Sequence, residues 1–451
     1  MGYVRGRALR MPKLPPVATT ISIWVDRPDS APDSFVDQVA RDLERRLGVP
    51  RVRRYLSKPL RISRPTREQR QLNDFLAIDT TPARAARLVE RLDGLPRLRT
   101  VYVEGGPRPP PGPPYEPPAE AAQYLEHAPI GINARWAWAN GADSVLQKIG
   151  FVDLEQGWDT HNADLSNAGV ETPPFWGRDF LFHGHGAGVL GTVVGAKNGA
   201  GLVGVAPGSR TRLTSQWRPD GSFSTMEAVA RTLDATSPPM KAGDVLLLEA
   251  TVKCRCGDEI QDGPVEIEAG VRQAIISCVQ AGIVVVACAG NGGVDLDACT
   301  NKEGQVLNRH NPGQFKDSGA IMVAAATSGN THTRCSFSNY GSRVDCYAWG
   351  EDIDMCGDGQ TGGMTYSQGF GGTSGAGAIV AGAALLLQAW AKAHRPKPFL
   401  PSEVRKLLSD PILNTPATPE PPDAPGGPAP VRPIGVMPNL RKIIEHLQAN
   451  G

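Results

Sequence analysis

The chain has 451 residues, 40% of them apolar and 21% charged, enough for a sizeable core and too apolar for a disordered polymer. Length alone suggests about three ordinary domains, or one large domain with an appendage. A net charge of +1 excludes a uniformly basic nucleic-acid binder, yet the charge is uneven. Residues 1–104 carry 21 Lys and Arg against 12 Asp and Glu, and residues 105–451 carry 26 against 34, so a head of +9 is joined to a body of −8.

Met1–Pro16 is basic and contains no apolar run of signal-peptide length. With Met1 as the natural start, the expectation is a cytoplasmic protein, with secretion left open. Thr19–Val25 reads as a strand, followed by a helix over Pro32–Leu47 with Phe35, Val39 and Leu43 at helical spacing. Val49–Leu56 and Phe75–Asp79 read as strands. Pro82 then starts a helix over Ala83–Leu92, and Thr100–Glu104 closes the head as a last strand. This β-α-β…β-α-β order over residues 17–104 predicts a small ferredoxin-like α+β domain. Pro107–Pro118 holds eight prolines in twelve residues and Pro411–Pro433 nine in twenty-three. Both are expected to be extended, exposed connectors, the first forming a linker over 105–120 and the second an insertion in a body over 121–451.

In the body, Val145–Val152, Asp244–Leu248, Ile283–Ala289 and Ala320–Ala326 are short aliphatic runs. Glu266–Ala281 between them repeats Ile267, Val271, Ile275 and Val279 every four residues. Strands separated by helices of this length predict an α/β fold, a parallel sheet flanked by helices, with functional groups at the carboxyl ends of the strands. Gly375–Ala391 is short for a membrane span and rich in Gly and Ala, which predicts a packed helix and no membrane partner.

Four short motifs fall at such strand ends and helix starts. Asp153 follows Phe151-Val152, an acid placed to orient an imidazole. His185 opens the Gly/Ala-rich run His185–Gly191, with His183 as a decoy two residues earlier. Asn291 follows the strand Val284–Ala289 in a glycine turn, where an amide donor can stabilise an oxyanion. Ser374 stands in Gly371-Gly372-Thr373-Ser374-Gly375 at the mouth of the long apolar helix, whose N-terminus favours negative charge. Each alone has an ordinary reading: a turn Asp, a structural His, a turn Asn, a serine helix cap.

Taken together, and in the order Asp153, His185, Asn291, Ser374, they resemble the subtilisin-like serine proteases, whose catalytic groups follow the chain order Asp, His, Ser. The segment Cys335-Ser336-Phe337-Ser338-Asn339-Tyr340-Gly341 leading to Tyr347–Gly350 extends the resemblance, which covers roughly Ile149 to Leu447. It implies a serine endopeptidase with Ser374 as nucleophile, His185 as general base, Asp153 as orienting acid and Asn291 in the oxyanion hole. It also places peptide-clamping segments at Gly221-Ser222-Phe223 and Glu249-Ala250-Thr251, so the implied partner is a peptide or protein substrate. Glu249 stands where the family has a small polar residue; it either favours a basic side chain in the first pocket or points away into solvent.

Two departures stand out. The family's acid motif reads Asp, small residue, Gly, whereas Leu154, Glu155 and Gln156 separate Asp153 from Gly157, which implies a longer turn. Gly377-Ala378 replaces a Ser-Pro pair after the nucleophile. The lost bulk would make room for an amine acceptor, so a peptide ligase or cyclase is the alternative activity; a catalytically inactive peptide-binding protein is the other. The resemblance further implies that the head is a propeptide-like domain, an intramolecular partner removed by cleavage near Gly105–Tyr124. A nucleic-acid-binding head is disfavoured because it lacks interleaved aromatics.

Cys278 and Cys288 fit core thiols. Cys254 and Cys256 are spaced too tightly for common zinc pairings. Cys299, Cys335, Cys346 and Cys356 are left as disulfide candidates whose pairing the sequence does not give. No cofactor is required; Asp295 and Asp297 leave structural calcium open, with a solvated acidic turn as the simpler reading.

Overall fold

The computed structural model describes residues 19–49, 51–58, 60, 62, 66–80, 82–93, 95–103, 114–115, 122–236, 238–357, 366–423 and 427–450. The expected N-terminal run Met1–Pro16 and most of the linker lie outside them.

The head contains β1 (Thr19–Val25), α1 (Ser34–Leu47), β2 (Arg53–Arg54), α2 (Arg67–Gln71), β3 (Phe75–Thr80), α3 (Pro82–Leu92) and β4 (Leu98–Val103). Its sheet is antiparallel in the order β2-β3-β1-β4, the ferredoxin-like arrangement that the pattern predicts. The expected strand Val49–Leu56 shrinks to Arg53–Arg54, because Tyr55 and Leu56 leave the sheet to be buried against the body. Of the linker, Pro114–Tyr115 is a short strand, β5, paired with a body strand described below.

The body begins with α4 (Ala134–Ala139) and α5 (Ser144–Gln147), so Val145–Gln147 is a helical turn and not the start of a strand. The side chain of Asp143 caps that turn by accepting from the Leu146 N–H. Then follow β6 (Gly150–Glu155), α6 (Ala163–Ser166), β7 (Glu171–Trp176), α7 (His183–Val194), β8 (Arg210–Ser215), α8 (Thr225–Arg231), β9 (Val245–Leu248), a hairpin of β10 (Thr251–Cys256) and β11 (Glu259–Pro264), α9 (Ala269–Gln280), β12 (Val284–Cys288) and β13 (Cys299–Thr300). The chain closes with β14 (Ile321–Ala326), β15 (Cys346–Trp349), β16 (Ile353–Cys356), β17 (Tyr366–Phe370), α10 (Gly372–His394), α11 (Pro401–Ser409), β18 (Thr415–Pro416), β19 (Val436–Met437) and α12 (Leu440–Asn450).

The main sheet runs β18-β19-β15-β14-β12-β9-β6-β8-β7, parallel throughout except at β18–β19. Its central strands are aliphatic on both faces because helices cover both. Helix α10 packs on β9, β12, β14, β15 and α7. It is long and apolar enough to cross a membrane, and 94% of its apolar window is buried inside the protein. The glycines that the sequence shows there allow close packing: a Cβ on Gly382 would lie 2.3 Å from Val205.

The proline-rich insertion is more tightly held than its composition predicts. Thr415–Pro416 pairs with β19, Asn414 is buried, and Glu420 accepts from Arg334 at 2.7 and 3.0 Å. Among the cysteines, Cys256 and Cys299 form a disulfide across β10 and β13, while Cys254, Cys278, Cys288, Cys335, Cys346 and Cys356 are buried free thiols.

The head sits on α8 and α9, and its Trp24, Tyr55, Leu56, Leu72 and Phe75 belong to the same apolar core as the body. Gly270 on α9 permits this approach, since a Cβ there would lie 2.6 Å from the Tyr102 hydroxyl and 2.9 Å from Phe75. Around that contact, Glu227 of α8 accepts from Ser57 N–H at 2.7 Å and Ser57 Oγ at 2.6 Å, and pairs with Arg218 and Arg231 at 3.1 Å each. Arg218 also donates to the Tyr55 carbonyl, and Arg231 to the Lys58 carbonyl. The arginines of this junction belong to the acidic body, and the Lys302–Asp93 ion pair places base on body and acid on head. Opposite net charge is therefore not what shapes the contact; buried apolar area and one shared carboxylate do.

Candidate active site

The sheet order brings the carboxyl ends of β8, β6, β9, β12, β14 and β15 side by side, and a cavity of about 430 Å³ lies at that edge. Its walls include Glu155, His185, Gln216, Glu249, Cys288, Asn291, Phe337, Glu351, Asp352 and Ser374. His185, Asn291 and Ser374 are thus brought together from α7, the turn after β12, and α10.

Asp153 is not brought to the imidazole. It is fully buried in β6, where its Oδ2 accepts from the Trp158 indole N–H at 2.8 Å and its Oδ1 has no partner. The expectation that Asp153 orients His185 is corrected: His185 Nδ1 lies 2.5 Å from Glu155 Oε1. The reason is local. Strand β6 continues two residues past Asp153, and residues i and i+2 of a strand share a face, so Glu155 stands on the same side but nearer the carboxyl edge. The strand-end acid is Glu155, and Glu155-Gln156-Gly157 restores the acid–x–Gly spacing without a longer turn. Gly157 is needed, because a Cβ there would lie 2.4 Å from the Leu181 carbonyl and 2.5 Å from the His183 ring. The apolar run Phe151–Val152 points to Asp153, whereas the spacing to Gly157 points to Glu155.

Burial sets the electrostatics. It raises the carboxyls of Asp153 and Glu155 well above the usual range, and the Glu155 charge further opposes ionisation of Asp153. Burial also lowers the His185 imidazole, against the pull of Glu249 and Asp153. The ring packs edge-on against Phe370, with centroids 5.6 Å apart.

Ser374 is the third residue of α10, so its N–H is one of the first four that lack an intrahelical acceptor. Asn291 Oδ1 accepts from the Thr373 N–H at 2.9 Å and the Thr373 hydroxyl at 3.1 Å. Because those donors fix the oxygen, the Asn291 NH2 is the end left to face the cavity.

The clamp residues divide. Glu249, Ala250 and Thr251 line the cavity, with Gln216 opposite. Gly221, Ser222 and Phe223 do not; they close a turn in which Arg218 N–H donates to Ser222 O at 2.7 Å, and Arg218 ties that turn to the head. Glu249 is 7% exposed, so of its two alternatives the one that points away into solvent does not hold. Nor is there spare room at Gly377: a Cβ would meet Cys288 Sγ at 2.9 Å and Glu249 Oε1 at 3.2 Å. The space that suggested an amine acceptor is filled from within.

For metals, the donor atoms of Glu155, His185 and Glu249 lie within 4.8 Å of one another, as do the sulfurs of Cys254, Cys256 and Cys299. Two of those sulfurs form the disulfide, and the first cluster already uses its shortest contact internally. Asp295 and Asp297 spend their carboxylates on the Asp297 N–H and on Ser342.

The profile of the subtilase family (Peptidase S8) matches residues 159–420, beginning just after the strand that carries both acids. The alkaline protease of Alkalihalobacillus alcalophilus is 29% identical over 277 residues, 60% of this chain and 63% of that protein. Subtilisin E of Bacillus subtilis (strain 168) is 29% identical over 279 residues, 59% and 62% of the two chains. The chain thus spans about 63% of the length of the curated relatives it matches. Among solved structures, that of proteases from Pseudoalteromonas arctica PAMC 21717 covers 74% of this chain and 99% of its own, at 21% identity and a TM-score of 0.51. With a match over more than half its length, the chain belongs to the subtilase family.

Proposed function

We propose that the protein is a serine endopeptidase whose catalytic triad is Glu155, His185 and Ser374. The observation that carries this reading is the 2.5 Å contact of His185 Nδ1 with Glu155, made in the cavity that also holds Ser374 and Asn291. With Nδ1 committed to Glu155, Nε2 is the nitrogen that takes the Ser374 proton as Oγ attacks a peptide carbonyl, and that returns it to the leaving amine. Glu155 holds the tautomer and offsets the imidazolium charge. The Asn291 NH2 and the Ser374 N–H stabilise the oxyanion. Asp153 positions Trp158 and takes no part in proton transfer.

The substrate on this reading is an extended peptide lying along Glu249–Thr251, paired through its backbone. The head serves as a propeptide-like partner, a role supported by its seat on α8 and α9 and by the pairing of the linker strand β5 with β17, which ends four residues before Ser374. A fluorophosphonate probe should label the protein covalently, and Ser374→Ala should abolish labelling. Labelling that survives this substitution contradicts the assignment. If the head is removed by the protein's own activity, the same variant should retain it.

A further inference from the structure

Glu249 lines the site but has no part in the triad mechanism. It follows β9 directly, and its carboxyl enters a niche that exists because residue 377 is glycine. Facing it are His185 from α7, Asp153 and Glu155 from β6, Cys288 from β12 and Ser374 from α10. Farther along the cavity stand Glu351 and Asp352, and among the described residues no Lys or Arg lines it.

The hydrogen bonds of Cys288 show how little supports a charge on Glu249. Its Sγ lies 3.2 Å from the Thr373 carbonyl and 3.3 Å from Glu249 Oε2. A thiol has one proton, and a carbonyl has none to give. That single proton is shared between the Thr373 carbonyl and Glu249 Oε2, so the only side chain donating to Glu249 among the hydrogen bonds of the described residues is a weak thiol. A carboxylate here would be buried beside two other acids, with its Oε1 unpartnered among the described residues.

Accepting the triad reading above, we propose that Glu249 is a positioning residue that permits catalysis as a neutral carboxylic acid and blocks it as a carboxylate, giving the enzyme an upper pH limit. The reason is competition for one hydrogen. Ser374 has a single O–H, which must point at His185 Nε2 for attack. A neutral Glu249 leaves it there, whereas an adjacent carboxylate accepts charge-assisted hydrogen bonds and draws the hydroxyl away. The same negative charge opposes the oxyanion forming beside Asn291. Burial pushes this carboxyl well above the usual range, with the His185 charge acting against it, so the limit falls on the alkaline side of the ordinary carboxylate range. The sign follows: activity is present below the Glu249 transition and lost as pH rises through it.

The test is the second-order rate of fluorophosphonate labelling against pH on the full chain, each protein scaled to its own maximum. The native protein should lose about tenfold per pH unit above its limit, the slope of a single deprotonation. Glu249→Gln, which is never charged, should lose that descending limb. Cys288→Ser leaves the carboxyl in place but supplies a stronger donor to it, favouring the ionised form and moving the limb to lower pH. An alkaline limb unchanged in either variant overturns the inference while leaving the triad intact. A native protein unlabelled at every pH overturns the triad reading and this inference with it.

Discussion

The head–body junction and the catalytic cavity both bury acids away from water, and they treat them in opposite ways. At the junction, Glu227 receives two guanidinium groups, a hydroxyl and a backbone N–H. In the cavity, Asp153 Oδ1 and Glu249 Oε1 are left without partners, and three carboxyls crowd one imidazole. A satisfied buried charge holds two parts of a chain in register. Under-satisfied ones store a protonation equilibrium, which is what a site that moves protons uses.

Substitutions break this contrast in order of size. Removing the Glu227 carboxylate takes from buried Arg218 its ion-pair partner and leaves Arg231 only Asp234, at 2.8 Å, and should cost about 3–5 kcal/mol. Glu227→Ala is expected to lower the melting temperature and expose the head to limited proteolysis, while Glu249→Gln should do neither. In the cavity, Asn291→Ala should reduce turnover about 100- to 1,000-fold with little change in melting, the range seen for the equivalent amide in a subtilisin. Trp158→Phe removes the indole donor to Asp153 and should cost about 1–3 kcal/mol, read by denaturant unfolding. Because His185 is lowered by burial, the acid limb of the rate profile should lie below the usual imidazole range near pH 6.5. The smallest effect is at Lys302→Ala, whose exposed pair with Asp93 is worth about 0–1 kcal/mol. High salt should accordingly leave the docked head in place, since what holds it is apolar and buried.

The contrast also marks where sequence reasoning reaches. Aliphatic runs identify β9, β12 and β14, and proline with helical spacing identifies α3, because burial and backbone geometry act locally there. Ser374, His185 and Asn291 sit in glycine-rich contexts whose purpose is close approach, and that too is visible in one dimension. Asp153 and Glu155 are harder to tell apart, since both lie on one face of one strand, and only the strand's length and the spacing to Gly157 decide which meets α7. The niche of Glu249 depends on Gly377 and Cys288, 128 and 39 positions away, and no local pattern joins them. Tyr55, in a segment read as a strand, leaves its sheet because the body offers it more burial.

The central claim is that Glu155, and not Asp153, orients the catalytic imidazole. It is tested most directly by hydrolysis of fluorescently labelled casein by Glu155→Gln and Asp153→Asn, each checked for native melting. A lost orienting carboxylate should lower kcat by roughly 10⁴-fold in the Glu155 variant. The Asp153 variant should stay within about tenfold of the native rate, because among the described residues that carboxyl hydrogen-bonds to Trp158 and not to His185. A collapse of activity in Asp153→Asn beside a near-native Glu155→Gln would contradict the account.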